Sequence, residues 1–382
     1  MNGLMSLIVG VMFLGAQEGA SAPAGPTLKI GDPAPALSVH TWVKGEPIDI
    51  EAGRGAQCFV IWFWRPQDLG SQQLAPRLTV FQERYKAKGL RIVGVATEDE
   101  KTTIDGVRAF VDAGGPQVGW TVALDNVKET WDAYQVASQR PGEGIGMPRA
   151  YLVNREGRIV WMGTPADPNF EDAVIDLVEN RLDPAVWARM EEIERVIAGK
   201  ARGGQWREVL KDLDELLRMY PHSSKGVNFK VFAFAQQLKD YAGLNAWAKE
   251  FFAAHGKDPH VMLNLATAIT NPATMGGFAD REPETAYRAA KIAYDASLGT
   301  ELLGDTAPIY ARALFQLGAV REGRKVLADA CEKIKGFEAD LMRGDLAFYD
   351  RCIKLLDEIE KNPPAASSKP GEGLPGAGGG GA

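Results

Sequence analysis

Sulfur and imidazole are scarce in this chain. Its 382 residues hold three cysteines, Cys58, Cys331 and Cys352, and four histidines. No two cysteines form a Cys-x-x-Cys, and an odd count excludes a fully paired intramolecular framework. Cys58 lies inside an apolar run and reads as a small buried hydrophobe. Cys331 and Cys352 lie on separate helical patterns, which leaves room for one structural disulfide. His40, His222, His255 and His260 stand apart with no cysteine or paired carboxylate at ligand spacing, so they read as exposed turn residues and no metal site is expected. A GxSxG elbow and an HExxH helix are also missing, and Gly144-Ile-Gly146 lacks the later glycine and the Lys-Ser/Thr of a phosphate loop. No cofactor is expected. Net charge is −7 with both signs interspersed, which argues against a nucleic-acid surface. The N-terminal apolar stretch Leu4–Leu14 is too short to span a bilayer comfortably.

The chain does hold enough apolar residues, 45%, and enough length for two cored domains. Met1 to about Ala24 reads as a secretory signal: an apolar core, then small residues, with Ala22-Pro-Ala24 in the form of an A-x-A site. Export to the periplasm or another extracytoplasmic space is therefore expected, with an uncleaved N-terminal anchor as the alternative. The stretch that organises the rest begins with the continuous apolar run Cys58–Trp64. A polar turn follows, and Leu74, Leu78, Phe81 and Tyr85 then recur at helical spacing, so the segment reads as a buried strand feeding a βα unit. In that frame Asp68 or Ser71 is an N-cap. The helix ends at Lys88-Gly89, and Gly89–Thr97 is a second buried strand. Further on, Thr102–Ala113 and Lys128–Tyr134 read as helices, Trp120–Leu124 as a strand, and Asn154–Gly157 as the turn into an edge strand over Arg158–Met162. Phe170–Arg181 reads as a closing helix. The acidic run Glu98-Asp-Glu100 ends a strand, where a helix-start charge pattern is the first reading and cation binding the second.

From Phe63-Trp64 to Pro76 and Leu78, the central stretch resembles the thioredoxin-fold oxidoreductases of the TlpA-like and redoxin (AhpC/TSA) type. The entry Ile30-Gly-Asp-Pro-Ala-Pro35, the strand Lys88–Thr97 and the segment Gly146-Met-Pro-Arg-Ala-Tyr-Leu-Val153 are similar to that family's landmarks, in order, over roughly Leu28–Arg181. The resemblance implies a thioredoxin-like α/β domain over 25–182. It places the family's two reactive cysteines on Asp68 and Ser71, and its peptide-facing cis-proline on Pro148, with Met147 and Trp64 beside the groove. Disulfide exchange runs through a thiolate and a mixed disulfide, which neither a carboxylate nor a hydroxyl provides. The peroxidase pattern after Pro66 is unmet as well, since Gly70 and Gln73 stand where that branch of the family carries Thr and Cys.

From Pro184 onward strands vanish and helical periodicity continues to about Lys361. Trp206, Val209, Leu213, Leu216 and Pro221, then Tyr241, Leu244, Ala248 and Phe251, resemble successive tetratricopeptide (TPR) units. A third unit starts near Leu263, breaks at Asn271–Gly277 and resumes at Ala289, Ala293 and Ala296; a fourth carries Tyr310, Ala311, Leu314, Gly318, Leu327 and Ala330. An all-α helical-repeat (TPR-like) domain over 183–361 is expected, with the Pro-, Ser- and Gly-rich 362–382 as a disordered tail. Trp206, Trp247, Phe251 and Phe252 read as core, or else as the lining of a concave face. The functional expectation is an exported module that binds protein or peptide partners through the Pro148 region and the helical repeats, without contact to nucleic acid or to a membrane beyond the signal segment. The alternative is a thiol-disulfide or peroxide reductase working through a displaced cysteine, for which Cys58 is the candidate.

Overall fold

The computed structural model describes residues 28–134, 136, 147–167, 169–271 and 283–362. The expected signal segment, Gly144–Gly146, most of the break in the third repeat and the tail beyond Asn362 lie outside the described residues. Six strands form one sheet in the order β1-β4-β3-β2-β5-β6. They are β1 (Thr41–Lys44), β2 (Cys58–Trp64), β3 (Leu90–Thr97), β4 (Thr121–Asp125), β5 (Arg149–Val153) and β6 (Ile159–Gly163). β2, β3 and β4 are parallel, while β1, β5 and β6 are antiparallel to their neighbours. Helices α1 (Leu69–Tyr85), α2 (Ile104–Gly114), α3 (Glu129–Ala133) and α4 (Asn169–Val178) cover its faces. This is a thioredoxin-like α/β domain.

β2 shows why its sequence is uninterrupted by polar residues. Cys58, Val60, Trp62 and Trp64 point into the core under α1 and α4, while Phe59, Ile61 and Phe63 point into a second core with Val39, Trp131 and Tyr151. A strand buried on both faces loses the apolar-polar alternation of a half-exposed one. Trp62 and Trp64 meet Trp120 edge-on at centroid distances of 4.8 and 5.4 Å. Their rings close over Gly94 of β3, where a Cβ would stand 2.3 Å from Trp120 Cζ3 and 2.6 Å from Trp62 Nε1. Only glycine fits beneath three indoles. The proline-rich entry stays at the edge, as Pro33 bridges Arg158 beside β6.

A region of helices follows: α5 (Pro184–Arg202), α6 (Trp206–Met219), α7 (Ser224–Phe232), α8 (Tyr241–His255), α9 (Pro259–Thr270), then Pro283–Ser297, Leu303–Gln316, Val320–Cys331 and Phe337–Lys361. Caps set their starts. Asp183, Ser223, Asp240 and Asp258 each accept a first-turn backbone N–H, and Pro184 and Pro259 open their helices without an N–H to satisfy. Phe251 is core, and Trp206, Trp247 and Phe252 pack half-buried against the same cluster, Trp206 tilted against Phe229, Trp247 stacked on Phe234 and Phe252 under the Arg288 guanidinium. Cys331 and Cys352 lie beside the last cluster and are free thiols, so the disulfide left open by the sequence is not formed.

The helical region meets the sheet domain at both of its ends. At its beginning, Tyr220 Oη donates to Asp176 Oδ2 at 2.6 Å and Ser224 N donates to Asp172 Oδ2 at 2.7 Å. At its far end, Arg84 of α1 is gripped by Asp305 at 2.5 Å and by Glu338.

Candidate functional site

The C-terminal ends of the three parallel strands, together with the N-terminal end of β5, put four loops on one edge of the sheet: Arg65–Asp68, Glu98–Thr103, Asn126–Lys128 and Met147–Pro148. In open α/β sheets this edge is where ligands dock. Asp68 is the N-cap of α1, extended at φ −82° and ψ 123°. Its Oδ1 accepts from Ser71 N at 2.7 Å and from Ser71 Oγ at 2.9 Å. The positions read as reactive in the related fold are thus joined to each other, the carboxylate accepting from the hydroxyl and from an orphan helix N–H. Ser71 is buried and also lies 3.4 Å from Arg65 N, which donates to its Oγ.

Pro148 follows a cis peptide bond after Met147 and faces the helix start. A Cβ placed on Gly70 would stand 3.4 Å from Pro148 Cδ and 3.3 Å from Asp68 Oδ1. Leu69, the first helical residue, is 65% exposed, and Val127 on the β4–α3 loop is 59% exposed. Two large apolar side chains are thus left in water on the edge that carries Pro148. Neither was marked in the sequence, where an amphipathic reading of α1 starts at Leu74. Trp64 is a correction: fully buried against Trp62, Trp120 and Phe110, its ring cannot reach a partner.

Two of the three carboxylates in the acidic run beside this edge, Glu98 and Asp99, are held by internal contacts. Asp99 Oδ1 accepts from Lys101 N and Thr102 N at 2.9 and 2.8 Å, and Oδ2 pairs with Arg65 at 3.3 Å. Burial alone would raise the Asp99 carboxyl, but those two N–H groups and the Arg65 charge outweigh it and hold it below its ordinary value. Glu98 accepts from Asn126 Nδ2 at 2.9 Å, so the run ties loops together ahead of the Thr103 cap rather than starting the helix. No cluster of three or more His, Cys, Asp or Glu side chains suited to a metal ion occurs among the described residues. At the end of β4, buried Asp125 accepts from Trp131 N at 2.8 Å and orders the Val127 loop; burial raises its carboxyl.

Cys58 lies at the opposite end of β2. Phe63 pairs with Arg149 while Phe59 pairs with Val153, so the length of the strand, roughly 20 Å, separates Cys58 from Pro148. Its thiol is wholly buried, and burial pushes it up to about 11, only partly opposed by Arg155 and Arg91.

The histidines also need correction. His222 and His260 are not isolated turn residues: their rings lie 5.4 Å apart where the helical region meets α4. His222 Nε2 is 3.0 Å from Asp258 Oδ2, and His260 Nε2 is 3.9 Å from buried Asp172. Nothing in sequence spacing joins His222 to His260; the packing of α7 on α9 does.

Residues 29–177 match the family described as Redoxin. This stretch is similar to redoxin domains. Protein FixW of Rhizobium leguminosarum is 26% identical over 145 residues, which is 36% of this chain and 61% of that relative, so the chain spans about three fifths of its length. Among solved structures, the thioredoxin domain of a thiol-disulfide oxidoreductase from Bacteroides vulgatus is 21% identical, with 41% of this chain and all of that one covered at a TM-score of 0.31. A secreted disulfide oxidoreductase of Mycobacterium tuberculosis is 21% identical, covering 33% of this chain and 81% of that one at a TM-score of 0.26.

Proposed function

We propose that this chain is an exported redoxin-fold protein whose redox pair is replaced by Asp68 and Ser71, and which binds an extended polypeptide along the Pro148 edge. The observation that carries the reading is the closed Asp68–Ser71 pair at the start of α1, with the redoxin domain's only cysteine sealed at the far end of β2. A thiolate attacks disulfides and peroxides; a thiol held near 11 is ionised to only about one part in 10⁴ at neutral pH. The edge keeps what binding requires. Leu69, Val127 and Met147 supply apolar surface, Pro148 flanks it, and nearby backbone groups supply polar contacts of the kind that hold an added strand. The helical region, a TPR-like array in this reading, recruits a second partner through its own surface.

The test is binding of carboxymethylated α-lactalbumin, a permanently unfolded polypeptide, followed by fluorescence anisotropy. The chain should bind it, and Leu69→Lys combined with Gly70→Trp, which charges the edge and fills the space before Pro148, should weaken binding at least tenfold. Equal binding by the variant, or none by the unaltered chain, overturns the peptide-edge reading.

A further inference from the structure

The last helix, Phe337–Lys361, ends the helical region, and a terminal element of such an array ordinarily turns a polar face to water. This one does not. Phe348 is 46% exposed, Leu355 59% and Ile359 54%, with half-buried Cys352 between them. Spacings of four, three and four put all four side chains in one line, the d-a-d-a seam of a coiled-coil heptad. One flank of the seam is closed by the chain's own packing, where Tyr349 is buried, Cys352 and Leu356 pack on the terminal cluster and Phe348 leans on Phe315 at a centroid distance of 5.8 Å. The other flank is open and carries exposed Arg351 and Glu358.

We propose that this helix pairs with the same helix of a second copy of the chain, antiparallel, about a two-fold axis near Ile353 and Lys354. The arrangement is self-complementary. The midpoint between Phe348 and Ile359 is also the midpoint between Cys352 and Leu355, so a two-fold axis there stacks Phe348 on the second copy's Ile359 and Cys352 on its Leu355. Every a position then faces a d position. The same operation brings Arg351 of one chain to Glu358 of the other, twice, on the open flank. An isologous contact of this kind closes at two copies and cannot propagate. The chain's own tail is a poor rival occupant: beyond Asn362 it carries one large apolar residue, Leu374, among prolines, glycines and serines. Four layers on a single helix make a contact at the small end of specific interfaces, so a Kd on the order of 10 µM is expected.

Sedimentation velocity on the full chain from about 1 to 200 µM tests this, a range that brackets the expected Kd. A reversible monomer–dimer equilibrium is expected. Leu355→Glu with Ile359→Glu should weaken it at least tenfold while circular dichroism and melting stay unchanged, because both side chains are already in water. Arg351→Glu or Glu358→Arg alone should weaken it about threefold by opposing like charges, and the two together should restore it. A monomer throughout that range, a dimer indifferent to the two glutamates, or a double charge reversal no tighter than the single ones would each overturn the proposal.

Discussion

Replacing Arg84 with Met should weaken the whole molecule, because Arg84 is where the far end of the helical region is fastened to α1. Its guanidinium is 2% exposed and holds Asp305, 30% exposed, and Glu338, 17% exposed. Removing one member of a buried ion cluster costs about 3–5 kcal/mol, since the remaining charges stay desolvated; relief of Asp305 by water brings the expected loss to about 2–4 kcal/mol. Burial already raises the Glu338 carboxyl even with Arg84 beside it. Without Arg84 it rises further. A carboxyl whose folded pKa is raised weakens the fold as pH climbs through that pKa, so the Arg84→Met loss should be larger at pH 8 than at pH 4.5. Urea unfolding followed by tryptophan fluorescence reads this as a fall in midpoint of about 1 M at pH 8. Converting Asp305 to Asn and Glu338 to Gln in the same chain should recover most of it. A midpoint shift no larger than that of Arg108→Met, whose side chain is 61% exposed, or an effect indifferent to pH, would refute the reasoning.

Two further outcomes follow from the capping and histidine geometry. Asp68→Ala removes the acceptor for Ser71 N and Oγ and should lower thermal stability by about 1 kcal/mol, whereas Asp68→Asn should cost less than half of that, measured by calorimetry. His260 is held below its ordinary value by burial first and by His222 next, with Asp176 and Asp258 opposing and Arg181 assisting. A histidine depressed in the fold binds its proton more readily when unfolded, so stability should fall as pH drops below about 6.5. In urea titrations between pH 7 and 5, His260→Leu should flatten that decline; an unchanged slope would place the pH dependence elsewhere in the cluster.

The sequence made the sheet domain readable because its signals are local. The Cys58–Trp64 run, the Leu74–Tyr85 periodicity and the Gly89 stop each describe their own element, and Gly89 indeed sits at φ 92°. Long-range packing was invisible. A run buried on both faces does not say that Trp64 turns inward beneath Trp120, nor that Gly94 must stay bare to admit the rings. Arg84 meets partners 221 and 254 residues away, and His222 finds His260 only through helix packing. At the candidate site, Asp68, Ser71 and Pro148 were legible from motif order, while exposed Leu69 and Val127 depended on how neighbouring loops leave them uncovered.

The central claim, that the start of α1 is a closed cap rather than a redox centre, is tested most directly by insulin reduction with dithiothreitol, run beside hydrogen peroxide consumption. The chain should match Cys58→Ser in both assays, with neither above buffer. Turnover above buffer that disappears in Cys58→Ser would contradict the account, since it would require the buried thiol at the far end of β2 to reach solvent and ionise.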